Sequence, residues 1–423
     1  MDASKLGEEN KSAAEKINSN MEAPKIVEEL NKTAEENGSV TESKMEASRI
    51  VEGNKSMGEA ADLAALNQLD LDESSRSMAK VVKLGKVSPH PNADRLAIAE
   101  VGGWRVVVPI DSREGDVGVY FEIDSILPEA TWHNVDERKR KIKTLKLRGE
   151  LSQGLFLPRS DKFPVGEGDW VEGADLTRAL GIEKRIFEEP GNYPMPRGGV
   201  AFSSVFGGRG PSKTDEPRVQ SSLELLEALR GLPFYIAEKV DGASGPFGLW
   251  DGELKVCSRN LGIAREDETS KAQTAFWAVA ELYNLRERLA RNPDWILQGE
   301  VHGPGLQKNK CRAKALQLAL FNVWSIQERR YLDYEASGQE FVEAARVLDI
   351  PTVRILEEGE GFGYTLEELL EKARGKYPGT DNFREGIVVR PKKEVARARM
   401  AALGHSRLSF KVINNDFLLK YGQ

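Results

Sequence analysis

The stretch Ile236-Ala237-Glu238-Lys239-Val240-Asp241-Gly242 is the most informative part of this chain. Its apolar beginning predicts a buried strand that brings a lysine, a carboxylate and a glycine to one end of a sheet. A lysine is normally protonated at neutral pH, but burial or a neighbouring cation can lower its pKa and free the amine as a nucleophile. The stretch therefore predicts a covalent role for Lys239, a metal-facing role for Asp241 and, at Gly242, room for a bound molecule.

The composition indicates a soluble protein of two domains and a tail. The chain has 423 residues, of which 40% are hydrophobic and 30% are charged. No apolar run approaches the ~20 residues that a membrane helix needs, so we expect no membrane partner. Two cysteines, Cys257 and Cys311, cannot form a disulfide framework. We therefore expect an intracellular protein, cytoplasmic with the nucleus as an alternative.

The net charge of -7 is unevenly distributed along the chain. Residues 1–78 hold 9 Lys and Arg against 17 Asp and Glu, a balance of -8, whereas residues 79–423 hold 51 against 50. The first segment also lacks Phe, Trp and Tyr, so it cannot bury enough apolar surface to fold. This predicts a disordered, acidic, low-complexity tail over 1–78. The near-neutral remainder leaves a nucleic-acid partner open, provided that a local basic patch exists.

Residues 79–185 carry short apolar segments at 79–87, 96–101, 104–109 and 118–123, with Gly102-Gly103 as a hairpin turn. Several short strands without long helices predict a small barrel, and an oligonucleotide-binding (OB) fold is the leading candidate. The segments 89–96 and 147–154 resemble parts of tRNA-binding barrels of that fold. Between them, residues 138–148 form the densest basic run of the chain, which is either a phosphate-binding surface or a solvated face.

A Gly- and Pro-rich connection over 186–217 predicts a linker, and an α+β domain is expected over 218–423. Ser222 is expected to cap a helix over 223–230, Thr365 and Glu368 form a capping-box pattern, and 271–291 has the pattern of one long amphipathic helix. Strands that would form antiparallel sheets between such helices are expected at 234–238, 253–257, 295–301, 317–324, 386–390 and 408–413.

The charged residues of this domain recur at the ends of strands. Because successive side chains of a strand point to opposite faces, we expect these residues to line one cleft. Transfer of a nucleotide needs an amine to attack the α-phosphorus, carboxylates to hold a divalent metal, cations for the phosphates and an aromatic ring for the base. Lys239 as nucleophile, Lys411 on the α-phosphate and Phe321 on the purine would meet three of these needs. The metal or ribose ligands would be Asp241, Glu300 and Glu385.

The order of these motifs resembles the covalent nucleotidyltransferase superfamily of polynucleotide ligases and RNA capping enzymes. It is most similar to ATP-dependent RNA ligases of the Deinococcus type. The resemblance implies an N-terminal OB-fold β-barrel followed by an adenylyltransferase domain of the ATP-grasp-like ligase kind, with antiparallel sheets flanked by helices. It implies ATP and Mg²⁺ or Mn²⁺ as cofactors, and a lysyl-AMP intermediate. The implied partner is RNA with nicked or broken strands, including RNA/DNA-bridged duplexes, and we expect a monomer.

The resemblance also assigns roles to individual residues. Arg259 matches the arginine that contacts the ribose, Glu238 lies where relatives read adenine through the main chain, and Arg218 is expected to contact a phosphate. The implied catalytic residues are Lys239, Asp241, Glu300, Glu385 and Lys411. The implied nucleotide-binding residues are Glu238, Gly242, Arg218, Arg259, Phe321 and Lys411, and the implied metal ligands are Asp241, Glu300 and Glu385.

Two departures from the superfamily pattern matter. The first, together with the position of the chain end, favours RNA over DNA as the substrate, and the second leaves phosphate binding more dependent on Lys411. DNA ligases have an arginine where this chain has Ser244, and the last motif often begins with a lysine where this chain has Ser409, with Arg407 as a substitute. The chain also ends twelve residues after Lys411, which leaves no room for the C-terminal barrel of DNA ligases and capping enzymes. The alternatives are another covalent nucleotidyltransferase, either a DNA ligase or a GTP-using capping enzyme, and a non-catalytic RNA-binding protein with a degenerate ligase domain.

Overall fold

The structure, a computed structural model, describes residues 77–185, 200–214, 216–265, 271–334 and 340–422. Residues 1–76 of the predicted tail and 186–199 of the predicted linker therefore lie outside the described residues, whereas Met78, at the end of the predicted tail, is buried. Among the residues described, no helix combines the length and apolar character needed to cross a bilayer.

The described chain is a mixture of helices and mostly antiparallel sheets. The first ten strands are β1 (Ala79–Lys83), β2 (Val87–Pro89), β3 (Leu96–Val101), β4 (Trp104–Pro109), β5 (Val117–Phe121), β6 (Ser125–Ile126), β7 (Thr144–Leu147), β8 (Glu150–Gln153), β9 (Leu155–Pro158) and β10 (Glu183–Lys184). The next nine are β11 (Phe234–Lys239), β12 (Ala243–Trp250), β13 (Glu253–Val256), β14 (Trp295–His302), β15 (Gln317–Ser325), β16 (Arg330–Tyr331), β17 (Ile355–Gly359), β18 (Gly386–Pro391) and β19 (Phe410–Ile413). The α-helices are α1 (Phe202–Val205), α2 (Leu223–Leu229), α3 (Lys271–Leu282), α4 (Leu285–Ala290), α5 (Glu340–Val347), α6 (Leu366–Ala373), α7 (Arg397–Ala401) and α8 (Asn415–Tyr421).

Strands β1–β10 form four small sheets, in the orders β1-β5-β9, β2-β3-β4, β7-β8 and β10-β6. The predicted strands at 96–101 and 104–109 are confirmed, and Gly102 in the turn between them has φ +53°. The predicted strand at 79–87 is instead two strands. They separate at Gly85, whose amide turns to donate to the Glu100 carbonyl oxygen at 2.8 Å.

Two larger sheets face each other in the second half of the chain, in the orders β17-β11-β18-β19 and β13-β12-β14-β15-β16. Helices α2, α6 and α7 pack on the outer face of the first sheet, around residues such as Ile236 and Val389. Helices α3, α4 and α5 pack on the second sheet. The inner faces meet through a small apolar cluster that includes Tyr235, Ala237 and Ala319. This arrangement opens a cleft between the sheets.

Several predicted elements are corrected by the structure. The helix predicted over 271–291 breaks at Asn284, which adopts a left-handed conformation with φ +47°. The break lets Leu285 and Leu289 of α4 reach the same core as α3. Ser222 precedes α2, but its side chain makes no capping hydrogen bond, so that prediction was wrong. The capping box of Thr365 and Glu368 is confirmed.

The last strand and helix connect the two halves of the described chain. Ile413 at the end of β19 and Leu418 in α8 belong to a buried cluster with Leu84, Val106 and other residues of the first sheets. This cluster is the shared core referred to below. At its edge, Gln153 Nε2 donates to Asn415 Oδ1 at 3.2 Å.

Candidate active site

Lys239 is the last residue of β11, where the cleft between the two large sheets begins. It pairs with Gly386 of β18, and this register brings the preceding residue, Glu385, beside it. Lys239 Nζ donates to Glu385 Oε2 at 2.8 Å. The structure thus brings together the predicted nucleophile and one predicted carboxylate, which are 146 residues apart in the chain.

The protonation state of Lys239 differs from the expected one. Burial lowers the pKa of its amine, but the negative charges of Glu385, Glu300 and Asp241 outweigh burial and raise the pKa well above its usual value. Lys239 is therefore protonated, although the sequence predicts an amine freed by a depressed pKa. The amine must lose a proton before it can attack.

Asp241 is held by a lysine that the sequence analysis did not identify. Lys310 Nζ lies 2.5 Å from Asp241 Oδ2 and also donates to the Gln307 carbonyl oxygen at 3.1 Å. The rings of Phe417 and Tyr421 lie 5.2 and 5.3 Å from the same ammonium, which is a cation–π arrangement. Both members of the ion pair are buried.

Burial and the charge of Glu385 raise the pKa of Asp241 to about 6, against the opposing effect of Lys310. The backbone amide of Asp241 donates to Tyr377 Oη at 3.1 Å. Asp241 is therefore fixed on two sides.

Glu300 lies in β14 and faces the turn that follows Lys239. Its Oε1 accepts a hydrogen bond from the Gly242 amide at 3.0 Å. A Cβ on residue 242 would lie 2.4 Å from the Val301 carbonyl oxygen and 2.9 Å from Glu300 Cγ. Only glycine therefore allows β14 to approach this closely. The predicted role of Gly242 as space for a bound nucleotide stays a prediction.

The three predicted metal ligands surround Lys239 but each has a protein partner. Asp241 is paired with Lys310, Glu385 with Lys239, and Glu300 with a backbone amide. Among the described residues, no group of three or more His, Cys, Asp or Glu side chains is arranged as a metal site. Their carboxylate oxygens are nevertheless the hard donors that Mg²⁺ and Mn²⁺ prefer.

Phe321 reaches the cleft because β15 contains a β-bulge. In the pairing of β14 with β15, Gln298 faces Asn322 and Gly299 faces Leu320, so Phe321 is the extra residue. A bulge redirects a side chain. The Arg390 guanidinium lies 5.7 Å from the Phe321 ring and donates to the Phe321 carbonyl oxygen at 2.8 Å.

Lys411 in β19 lies on the same sheet as Lys239, two strands away. It pairs with Val388 of β18, which in turn pairs with Ala237 of β11. The backbone amide of Lys411 donates to the Pro217 carbonyl oxygen at 2.9 Å. A cavity of about 550 Å³ opens beside Lys411. Its lining includes Arg218, Asn322, Tyr331, Arg407, Ser409 and Lys411.

Known proteins that resemble this chain are RNA ligases and OB-fold domains. A family model described as RNA ligase matches residues 232–413, and one described as an OB-fold domain matches residues 78–159. An RNA ligase of Naegleria gruberi, solved with PPi, is 30% identical with a TM-score of 0.67, over 81% of this chain and 98% of that chain. A mutant of that enzyme with AMP and Mn is 29% identical with a TM-score of 0.68 over the same shares, 81% and 98%. Another mutant, with ATP and Mn, is 29% identical with a TM-score of 0.67, also over 81% and 98%.

The chain belongs to the RNA ligase family. No curated protein sequence matches it. The predicted OB-fold domain is confirmed for residues 78–159, and the fold of the second half is that of an RNA ligase.

Arg218 of this RNA ligase lies between the OB-fold domain and the cleft. Its Nη2 donates to Asp124 Oδ2 at 3.0 Å. Its Nε and Nη1 are buried, and within the described part of the chain neither finds a hydrogen-bond partner. Such orphaned donors are costly unless a bound group satisfies them. The residue also lines the cavity beside Lys411.

Ser409, which departs from the usual motif of the ligase superfamily, belongs to a buried polar network. Arg390 Nε donates to Ser409 Oγ at 3.0 Å, and Ser409 Oγ donates to Glu216 Oε1 at 3.3 Å. Arg390 also pairs with Glu216 at 2.5 Å. Arg407, the suggested substitute for a lysine, instead pairs with Glu394 and lies 4.1 Å from the Tyr331 ring centroid. Both arginines are therefore already engaged.

Glu238 and Arg259 are the two remaining residues predicted to contact the nucleotide. The Glu238 carboxylate is buried and accepts from Arg354 Nη2 at 2.9 Å, while its backbone amide donates to the Arg354 carbonyl oxygen. Arg259 is half-buried in the bend that follows β13. Sequence reasoning missed Lys310, Tyr377 and Arg390 because no local pattern singles out any of them.

Proposed function

We propose that this RNA ligase joins a 3′-hydroxyl and a 5′-phosphate end through AMP carried on Lys239. The observation that carries this proposal is the position of Lys239 Nζ, 2.8 Å from Glu385 and at the mouth of a cleft that also holds Phe321 and Lys411. In step one, Nζ forms a bond to the α-phosphorus of ATP as the bond to the β-phosphate oxygen breaks and pyrophosphate leaves.

Two further steps transfer AMP to the RNA and then join its two ends. The RNA 5′-phosphate attacks the lysyl-AMP, so that the N–P bond breaks and a phosphoanhydride forms. The 3′-hydroxyl then attacks that 5′-phosphate, loses its proton and releases AMP. Structures of the Naegleria enzyme with ATP, with AMP and with PPi support ATP as the nucleotide donor.

We propose that a divalent metal, Mg²⁺ or Mn²⁺, binds the carboxylates of Glu300 and Glu385, with Asp241 as a further ligand or a positioning group. The donor chemistry of these residues fits such an ion, and the Naegleria structures with Mn support it. When bound, the ion would neutralise the carboxylates that raise the pKa of Lys239 and the charge on the transferring phosphate. Lys239 would then release its proton more easily.

Arg218 and Lys411 are the proposed phosphate ligands. The two orphaned donor nitrogens of Arg218 and the cavity beside Lys411 support a position for the phosphates on this side of the cleft. Phe321 would stack on the purine, Arg259 would contact the ribose, and the main chain at Glu238 would read the adenine. These roles come from the resemblance and from the proximity of the two sheets.

The finer substrate and the setting are also proposals. We propose nicked or bridged duplexes as the RNA substrate and the Deinococcus type as the subfamily, which is supported by the order of OB-fold domain and ligase domain. We propose a monomer that acts inside the cell. The free thiols of Cys257 and Cys311 are consistent with a reducing compartment.

The decisive experiment is to form and locate the covalent adduct. The protein is incubated with magnesium and α-labelled ATP, then denatured and examined for a labelled band. We expect a label with wild type and with Lys314→Ala, an exposed-lysine control, and none with Lys239→Ala. A label that survives Lys239→Ala would refute the mechanism. A label from GTP alone would indicate a capping enzyme, and no label at all would indicate a non-catalytic protein.

A further inference from the structure

The hairpin β7–β8 carries an unusual concentration of positive charge. Residues 136–150 contain seven Lys and Arg against three Asp and Glu, a balance of +4 in a chain whose net charge is -7. We call the exposed side of residues 141–148 the hairpin face.

The carboxylates near the hairpin face do not neutralise it. Glu150 pairs with Arg105 at 3.4 Å, and Glu137 pairs with Arg140 at 3.5 Å. Both partners lie outside the hairpin face. Within the described part of the chain, four cations of the face have no ion pair: Lys141, Lys143, Lys146 and Arg148.

The hairpin face is also held in a fixed shape. Arg148 and Gly149 form the two-residue turn with φ +44° and +97°, the left-handed pair typical of a tight hairpin. The buried His90 ring contacts the Leu147 carbonyl oxygen through Nε2 at 3.1 Å, and Asn92 Nδ2 donates to the Arg148 carbonyl oxygen at 3.0 Å. The two segments that resemble tRNA-binding barrels therefore meet at this turn, where one braces the other.

Strand β7 lies near helix α8 but, among the described residues, pairs with no strand other than β8. Leu145 is 49% exposed and Leu147 is 36% exposed, so these side chains of β7 face solvent. The five residue steps from Lys143 to Arg148 span roughly 16 Å. One strand of a duplex rises ~3.4 Å per nucleotide, so this length corresponds to about five phosphates.

A short path connects the hairpin face to the reacting lysine. Gln153 at the end of β8 bonds Asn415 at the start of α8, and Tyr421 at the end of α8 lies against Lys310, the partner of Asp241. Helix α8 is only about 9 Å long. Helix α8 thus links the hairpin to the surroundings of Lys239.

We propose that the hairpin face binds the phosphates of the RNA that flanks the strand break. This inference rests on the proposed function, since it assumes RNA at Lys239. Unpaired cations on a preorganised strand favour a polyanion, and their contribution is electrostatic rather than sequence-specific. Adenylylation of Lys239 by ATP does not require this surface.

The test compares two triple variants with the same change of charge. The first is Lys143→Ala/Lys146→Ala/Arg148→Ala. The control is Lys162→Ala/Arg178→Ala/Arg291→Ala, which removes three exposed cations elsewhere. Binding of a fluorescent nicked RNA duplex by each full-length protein is measured by anisotropy over a range of KCl concentrations. Formation of labelled lysyl-AMP without RNA is measured in parallel and reports on folding and on step one.

We expect the hairpin variant to bind RNA more weakly and to lower the slope of log affinity against log salt by about 2 to 3, since each phosphate contact contributes ~0.7–0.9. The control should keep the wild-type slope, and both should form lysyl-AMP normally. A wild-type slope in the hairpin variant would overturn the proposal, and so would an equal loss in the control. A wild-type protein that forms no lysyl-AMP would instead refute the proposed function.

Discussion

Replacing Lys310 by methionine is expected to destabilise the protein strongly, because it leaves the buried carboxylate of Asp241 without its cation. The side chains of Lys310 and Asp241 are only 7% and 6% exposed, and their charged atoms are 2.5 Å apart. Removing one member of such a buried pair costs about 3–5 kcal/mol. Methionine keeps most of the volume and can still pack against Phe417 and Tyr421. The cost should therefore reflect the lost charge.

A double-mutant cycle measures that coupling directly. The free energy of unfolding is determined by urea titration for wild type, Lys310→Met, Asp241→Asn and the double variant. The double variant contains neither charge, so we expect it to be more stable than the sum of the single effects predicts, by about 2 kcal/mol. Lys314→Met, an exposed lysine of the same loop, should change stability by no more than ~0.5 kcal/mol.

Two results would refute this reasoning. Additivity within about 0.5 kcal/mol would mean that the two side chains do not interact energetically. A Lys310→Met variant as stable as Lys314→Met would mean that Asp241 is accommodated without its cation, either by water or by protonation of the carboxylate.

Three other changes test the surroundings of the site. Burial would raise the pKa of Glu216, but Arg390 holds it at about 2 instead of 4.5. Its contribution to stability is therefore present above pH 4.5 and disappears as pH falls towards 2. Glu216→Gln should remove about 2 kcal/mol of the acid dependence between about pH 6 and 3, measured as urea midpoints. Gly242→Ala puts a Cβ 2.4 Å from a carbonyl oxygen, whereas a Cβ at Gly363 would meet nothing within 4 Å. We expect Gly242→Ala to lose about 1–3 kcal/mol of stability, measured by thermal melting, and to form the labelled adduct more slowly. The control Gly363→Ala should change neither stability nor adduct formation. Ser409→Lys restores a lysine common in the superfamily but buries it beside Arg390, whose Nε lies 3.0 Å from Ser409 Oγ. The variant should have a lower melting temperature and a lower yield of the lysyl-AMP adduct. A higher adduct yield would contradict the role assigned to this network.

Local patterns were sufficient to predict much of the sheet framework and the position of the nucleophile. Strands β3 and β4 have alternating or continuous apolar residues, and their bounds follow from the sequence alone. Lys239 could be located at a strand end because the apolar run stops there. The pairing of β11 with β18 then brings Glu385 to it.

The remaining features depend on contacts that no local pattern records. Strand β12 was missed because Gly and Pro are unfavourable in strands. There the glycines are required by packing, since a Cβ on Gly245 would lie 2.8 Å from the Phe276 ring. The bulge that exposes Phe321 and the partner of Asp241 are likewise set by tertiary pairing. The pKa of Lys239 was expected to fall, but it rises because distant carboxylates converge on it.

The shared core has a consequence for how the protein can be divided and handled. Ile413 and Leu418 fill the interior of the OB-fold domain although they come from the far end of the chain. Excising that domain would open a cavity in it and expose two apolar residues of the ligase domain. The two domains should therefore melt in one cooperative transition. Fragments for crystallography or domain exchange should retain α8 together with residues 77–159.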